Sequence, residues 1–335
     1  MILLRRRVLG LLGAMMLAAP PLAAQAPAPA PAPAPAPDFP RRPVTIVVPL
    51  APGSASDIMA RALAPRLQAA WSQPVVVDNR PGGSATVGAA IVARAQPDGH
   101  TLLLGAPPVL ITPMFMPNPG YDPVRDLQPV SLVAYYPLVV AVHPSVPARN
   151  LGELVAWARA NPGRSYPSPG AGTPVHLVGA MMARDEKLSF IHAPYRGGAQ
   201  GVNDLIAGLL DFYPGPTIEV LPNIQAGRLR AITLMGDHRA ALLPDVSTAA
   251  EQGFPTLNAS IWSVMMAPAG TPPAVLRRLS GDIAAAVGDG EFRERLAAQG
   301  AELVGSTVAE AEAFYGAEDR RWRPLVQELG IRVGD

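Results

Sequence analysis

The chain has 335 residues, with 27 lysines and arginines against 26 acids and no cysteine. The missing cysteine excludes disulfides, thiolate catalysis, cysteine-based zinc sites and a lipid anchor on a cleavage-site cysteine. A net charge of +1 supplies no basic surface for nucleic acid, so no nucleic-acid partner is expected.

Arg5, Arg6 and Arg7 precede a short apolar run, Val8–Ala19, and small residues follow at Ala23 and Ala24. This is the pattern of a secretory signal over residues 1–24. The apolar run is short for a membrane span; a retained membrane anchor is the alternative, and RRRVL faintly resembles a twin-arginine signal. Cleavage after Ala24 removes three arginines and no acid, taking the net charge from +1 to −2. The expected location is the periplasm. Six Ala-Pro pairs fill Ala26–Pro37, so residues 25–38 read as an extended polyproline II spacer. At about 3.1 Å per residue it spans roughly 37 Å.

From Phe39 onward, apolar β-branched runs alternate with helical patterns. The runs are Val44–Val48, Val75–Val77, Leu102–Leu104, Leu138–Val142 and Ile232–Leu234. Continuous apolar runs suit strands buried on both faces. Ile58, Ala62, Leu63, Leu67 and Trp71 follow a helical period, and Pro65 inside that run should kink it. Asn150 with Glu153, and Thr307 with Glu310, read as capping boxes. Thr173 before Pro174 reads as an N-cap and first helical position. The alternation implies an α/β fold with largely parallel sheets.

Four turns repeat one device, small residues between a strand and a helix. They are PGSASD (Pro52–Asp57), PGGSATVG (Pro81–Gly88), SPGAGTPVH (Ser168–His176) and YRGGAQGVND (Tyr195–Asp204). Small residues admit a ligand to the backbone, and helix N-termini offer unpaired N–H groups with a partial positive charge. Together they bind an anion without a cationic side chain. Four such turns around one cleft would clamp a small carboxylate; the plain alternative is ordinary strand–helix turn chemistry.

Other chemistries fit less well. No serine sits in a G-x-S-x-G frame, so a hydrolase elbow is missing. No two of the five histidines have metal-type spacing, and the first turn lacks the lysine of a phosphate-binding loop. His176 either packs and caps or touches ligand. Asp57 either serves the first helical turn or accepts a bond from a ligand ammonium. Arg196 either pairs with a second ligand carboxylate or is a surface charge. Trp262 reads as hinge packing on a crossover strand. No catalytic residue, cofactor or metal is expected.

VTIVVPLAPGSASDIMARALA resembles the opening motif of the solute-binding receptors of tripartite tricarboxylate transporters, the Bug family. Matches follow in order: QPVVVDNRPGGSATVG, ARAQPDGHTLLLG, GTPVHLVGAMM, APYRGGAQGVNDLIAG, IQAGRLRAITLMGDHR, LPDVSTAAEQGFP and APAGTPPAVLRRL. The resemblance runs from Pro40 to Arg332. It implies a type II periplasmic-binding-protein fold: two α/β domains, a ligand cleft between them and two crossover connections. Domain one would be residues 39–140 plus 260–335, and domain two 141–259, with crossovers near Leu138–His143 and Asn258–Met265. By similarity the ligand, a small carboxylate such as an organic acid or amino acid, would meet Ser54, Ala55, Ser56 and Asp57, then Ser84, Ala85 and Thr86. The second domain would supply Ala171, Gly172, Thr173 and His176, then Gly197, Gly198 and Ala199, with Pro216 and Thr217 on a further loop. The expected partners are this ligand and the transporter's membrane subunits, and the chain is expected to be a monomer. An exported α/β hydrolase and a receptor for a membrane sensor kinase are the alternatives. The sequence departs from the family at Ser54, where glycine is usual, at Ser84-Ala85-Thr86, where a glycine-rich run is usual, and at Ser263 or Val264.

Overall fold

β1 (Val44–Val48) ends at the first small-residue turn, and α1 (Ala55–Trp71) follows directly, running through Pro65. A computed structural model describes residues 39–331 except 196 and 237. The signal, the Ala-Pro spacer and Arg196 lie outside the described residues. β2 (Val75–Asn79) and β3 (Thr101–Gly105) flank β1 in parallel. α2 (Thr86–Ala93) joins β2 to β3. α3 (Pro107–Ile111) follows β3 and starts on two prolines.

β4 (Leu127–Val142) is a single 16-residue strand. Its first part, Leu127 to Pro137, pairs antiparallel with β9 (Ser260–Pro268), and β9 pairs with β3. Tyr135 and Ala134 also meet the short β10 (Glu302–Leu303). Its last part, Leu138 to Val142, pairs with β7 (Phe212–Pro216) and β8 (Arg230–Met235). β5 (Arg164–Ser168) and β6 (Phe190–Pro194) form a separate parallel pair.

The side-chain alternation of β4 explains how one strand serves two layers. Leu138, Val140 and Val142 enter a core with α4 (Leu151–Ala160) and α5 (Pro174–Asp185). Val139 and Ala141 enter another with α6 (Gly198–Ile206) and α7 (Thr217–Gln225). Successive side chains point to opposite faces, so a strand covered on both sides must be apolar at every position. The larger core gathers β1, β3, β9, the first part of β4 and α8 (Pro273–Gly288).

The expectation of largely parallel sheets needs correction. Three strand pairings are parallel among the described residues, and five are antiparallel. The cause is β4 and β9, which run against every strand they touch in these sheets. Pro216 is also not in a loop: it is the last residue of β7, paired with Leu138.

The helix starts follow the side chains at their caps. Asn150 Oδ1 accepts the Glu153 N–H at 2.8 Å. The Glu153 carboxylate turns back to the Arg149 N–H and the Asn150 side-chain amide rather than to the Asn150 N–H. At α9 (Gly290–Ala297) Asp289 Oδ1 accepts the Phe292 N–H at 2.8 Å, and at α10 (Val308–Leu329) the reciprocal box is complete between Thr307 and Glu310. α10 also ties two cores together: Glu318 Oε2 accepts from Trp262 Nε1 of β9 at 2.7 Å and from Trp322 Nε1 at 2.8 Å. Trp262 belongs to the larger core and Trp322 to the α4–α5 core.

Candidate functional site

The four small-residue turns meet in two pairs. A Cβ added at Gly197 would lie 2.8 Å from Ala51 Cβ, and one at Gly53 would lie 3.4 Å from Ala199 Cβ. The first turn therefore packs directly on the fourth. A Cβ at Gly170 would lie 2.5 Å from Ser84 Oγ, which puts the second turn on the third. Larger side chains at these places would hold the turns apart, which is the physical reason for their composition.

Ser84 and Ala85 have φ of 48° and 77°, in the left-handed region. Neither residue is glycine, so both must bear the strain of that region. The left-handed conformation costs an L-residue about 1–2 kcal/mol, while glycine loses more entropy on folding, about 0.5–1 kcal/mol. Ala85 is also buried in the larger core, and losing its methyl costs about 0.8 kcal/mol, so Ala85→Gly is expected to shift stability by less than about 1 kcal/mol, read as a denaturation midpoint close to that of the wild type at unchanged slope.

Two cavities open between the turns. One of about 330 Å³ is walled by Pro49, Leu50, Gly82, Gly83, Ser84, Ala85, Pro169, Gly170 and Tyr195. The other, about 30 Å³, lies where α1, α3, α5 and α7 begin. Ser54, Ala55, Ser56, Thr173, Val175, Tyr213, Pro216 and Glu219 line it, with Leu50 and Pro169 common to both cavities. A space of that size holds one or two waters. A larger cavity of about 530 Å³ lies away from the turns, beside β4, β9 and α10. It has no helix N-terminus, and its His238 and Glu302 pair with each other at 3.2 Å.

The start of α1 is the most informative part of the small cavity. Ser54 Oγ accepts the Asp57 N–H at 3.3 Å, as an N-cap should. Asp57 is buried and its carboxylate is engaged, accepting from the Gly53 N–H at 2.9 Å and from Arg61 Nε at 2.9 Å. The Ala55 N–H donates to Glu219 Oε1 at 3.1 Å, and the Tyr213 hydroxyl donates to Glu219 Oε2 at 2.7 Å. Burial pushes the Glu219 carboxyl up to about 7, against the lowering effect of these two donors. Burial, and then the Glu219 carboxylate, push the Tyr213 hydroxyl well above its ordinary range. Ser56 is only 1 % exposed, and its Oγ has no hydrogen-bond partner. A buried hydroxyl without a partner costs about 1–3 kcal/mol, so this atom needs an explanation, and it lines the cavity.

The start of α5 faces it. Thr173 Oγ1 accepts the His176 N–H at 3.3 Å and donates to Gly170 O at 2.8 Å. His176 Nδ1 accepts the Gly172 N–H at 3.1 Å, and its ring stacks on His192 at 4.1 Å. His192 Nε2 bonds Ser168 Oγ at 2.6 Å. These two histidines therefore brace the third turn. Thr86 Oγ1 donates to Gly83 O at 2.8 Å and closes the second turn.

Of the residues singled out in the sequence, Ser54, Ala55, Ser56, Thr173 and Pro216 line the small cavity. Ser84 and Ala85 line the larger one. Asp57, Thr86, Ala171, Gly172, His176, Gly197, Gly198 and Ala199 line neither. Ser263 and Val264 are buried in β9: Ser263 Oγ donates to the Tyr136 hydroxyl at 3.3 Å, and Val264 pairs with Gly105 and Leu132. Glu219 and Tyr213 escaped the sequence reading. The available signal was an acid inside the otherwise apolar run PTIEVL (Pro216–Leu221), a pattern unlike a solvated helix face.

The family model described as "Tripartite tricarboxylate transporter family receptor" matches residues 59–331. Protein BugT of Bordetella pertussis is 35% identical over 298 residues, covering 88% of this chain and 91% of that one. The periplasmic binding protein BugD is similar in structure, with a TM-score of 0.83 at 32% identity over 88% of this chain and 100% of that one. So is Rpa4515 of R. palustris, solved with adipate, with a TM-score of 0.84 at 30% identity over 88% of this chain and 99% of that one. This chain, with its two-domain α/β binding-protein fold, belongs to the family of tripartite tricarboxylate transporter receptors.

Proposed function

We propose that the protein captures a small carboxylate in the cleft where its four turns meet and delivers it, in the periplasm, to the membrane subunits of a tripartite tricarboxylate transporter. The observation that carries this reading is Ser56: a buried, unpartnered hydroxyl at the N-terminus of a 17-residue helix, lining a cavity. A hydroxyl donor beside a helix N-terminus is a carboxylate-binding arrangement that uses no cationic side chain. Rpa4515 was solved with adipate, a carboxylate of this class. In this reading residues 39–140 together with the chain from 260 onward would form one side of the cleft and residues 141–259 the other, with β4 and β9 as the strands about which the two would close.

Hydrolysis fits the site poorly. Ser54 Oγ is held by the Asp57 N–H, and Ser56 Oγ has no hydrogen-bond partner, histidine included. Neither serine has the adjacent base that activates a nucleophile.

The test is a thermal-shift screen of the purified protein against mono-, di- and tricarboxylates, aromatic acids and amino acids. A ligand that binds only the folded state stabilises by about 2.7 kcal/mol at one hundred times its Kd. A midpoint that rises with the concentration of one acid class is the expected result; a flat panel would sink the reading. Ser56→Ala is expected to weaken that ligand about tenfold, the worth of one hydrogen bond to a charged group. It should leave the stability of the free protein unchanged or slightly higher, because no internal bond is lost. Titration calorimetry and urea denaturation separate the two effects.

A further inference from the structure

A donor and an acid share the small cavity. Ser56 Oγ is buried, unpartnered and lines it, and Glu219 lines it too. Glu219 Oε1 accepts the N–H of Ala55, the residue next to Ser56, at 3.1 Å. A ligand carboxylate bonded to Ser56 Oγ would therefore lie beside the Glu219 carboxylate, in a space of about 30 Å³.

No described group offsets the two charges. Among the described residues no lysine, arginine or histidine lines the cavity. Ser54, Ser56, Thr173 and Tyr213 bring hydroxyls, which are neutral donors. On α1, Asp57 is paired with Arg61 at 2.9 Å, and on α5, His176 Nδ1 accepts the Gly172 N–H. Neither lines the cavity. α6 meets Glu219 with Gly198, and its first turn, residues 198–201, has no titratable side chain. α3 and β9 bring Pro107, Pro108 and Ile261, all without charge. Two carboxylates in so small and dry a space do not both stay ionised; one of them holds a proton. Glu219 is the one, because burial already pushes it up to about 7, while a ligand acid in water keeps the ordinary carboxylate range.

We propose that capture is coupled to a proton: as the ligand carboxylate enters beside Ser56, Glu219 takes up one proton from water and changes from repelling the ligand to donating a hydrogen bond to it. The neutral carboxyl keeps a lone pair on Oε1 for the Ala55 N–H. The receptor then holds its ligand more weakly as pH rises above about 7. The inference rests on the carboxylate reading above and deepens it. Arg196 lies outside the described residues; a guanidinium reaching this cavity would let both carboxylates stay ionised, and no proton would be taken up.

The test is titration calorimetry with adipate at pH 8 in HEPES and in Tris. These buffers differ in ionisation enthalpy, so the difference in heat counts the protons taken up. If adipate gives no binding at pH 6, the acid with the largest midpoint rise in the panel takes its place. The wild type is expected to take up about half a proton or more per ligand, and its Kd should rise about fivefold or more from pH 7 to 8.5. Glu219→Gln, neutral at every pH, should bring the uptake near zero and flatten that rise. The wild-type count needs no variant and decides the matter if the glutamine variant does not fold. Binding to the wild type without proton uptake, or uptake that persists in Glu219→Gln, overturns the role of Glu219 and leaves carboxylate capture standing. No binding by any acid of the panel at pH 6 overturns both.

Discussion

Glu318→Ala is expected to cost about 3–5 kcal/mol of folding stability. Two indole N–H groups, from Trp262 and Trp322, converge on one carboxylate oxygen of Glu318. Both tryptophans are at most 1 % exposed. Each buried donor left unpaired costs about 1–3 kcal/mol, and water entering from the adjoining cavity, which Glu318 lines, would offset only part of that loss. Arg321 would also lose its 3.5 Å contact with Glu318, a partly exposed pair of little weight. Glu318→Gln keeps an acceptor oxygen and should cost about 1–2 kcal/mol. Urea denaturation of the two variants beside the wild type measures both values. A loss under 1 kcal/mol for alanine would mean that the two indoles find other acceptors. Because Trp262 and Trp322 sit in different cores, the larger loss should appear as one cooperative transition, not as melting of one layer.

The second large effect is a pH dependence. The Glu219 carboxyl is raised from 4.5 to about 7, mainly by burial. The folded protein therefore holds this proton more tightly than the unfolded chain. Between pH 4.5 and 7 the unfolded state has released it and the folded state has not. The contribution to stability is fully present below pH 4.5 and is lost as pH rises to about 7. At 1.36 kcal/mol per unit the full swing is about 3 kcal/mol; part of the side chain faces the cavity, so about 2 kcal/mol is the better expectation. Other acids titrate in the same window, so the quantity to measure is the wild type minus Glu219→Gln. That difference should fall by about 2 kcal/mol from pH 4.5 to 7.5 and stay flat above. A difference that does not change with pH would place the Glu219 carboxyl in its ordinary range.

Much of this architecture could be read from local patterns. β1 follows VTIVV residue for residue, and Thr173-Pro174 and Thr307…Glu310 start their helices as their side chains dictate. These signals are local: a cap needs only its own first turn. β7 was not legible, because FYPGP carries two prolines and a glycine, all poor strand formers. Its place is fixed by β4 alongside, not by its own residues. The first part of β4 was hidden by Pro129 and by polar Gln128 and Ser131. In the site, the small-residue turns were visible as turns, but their pairing was not. Which turn meets which depends on the crossover strands. Glu219 was invisible for the same reason: the Ala55 N–H that it serves lies on another helix, far away in the chain.

The crossover arrangement also bears on how the chain is made. β1, β2 and β3 emerge early from the ribosome, yet β3 finds its other neighbour only in β9, through Leu103 and Met266. Until that late segment arrives, the first sheet keeps a row of unpaired N–H and C=O groups along a strand that is buried in the finished protein. Such an edge invites pairing with other chains. Pairings this distant in sequence also form slowly. The segment from β1 to β3 is thus held open by topology until β9, more than 150 residues later in the chain, has been made.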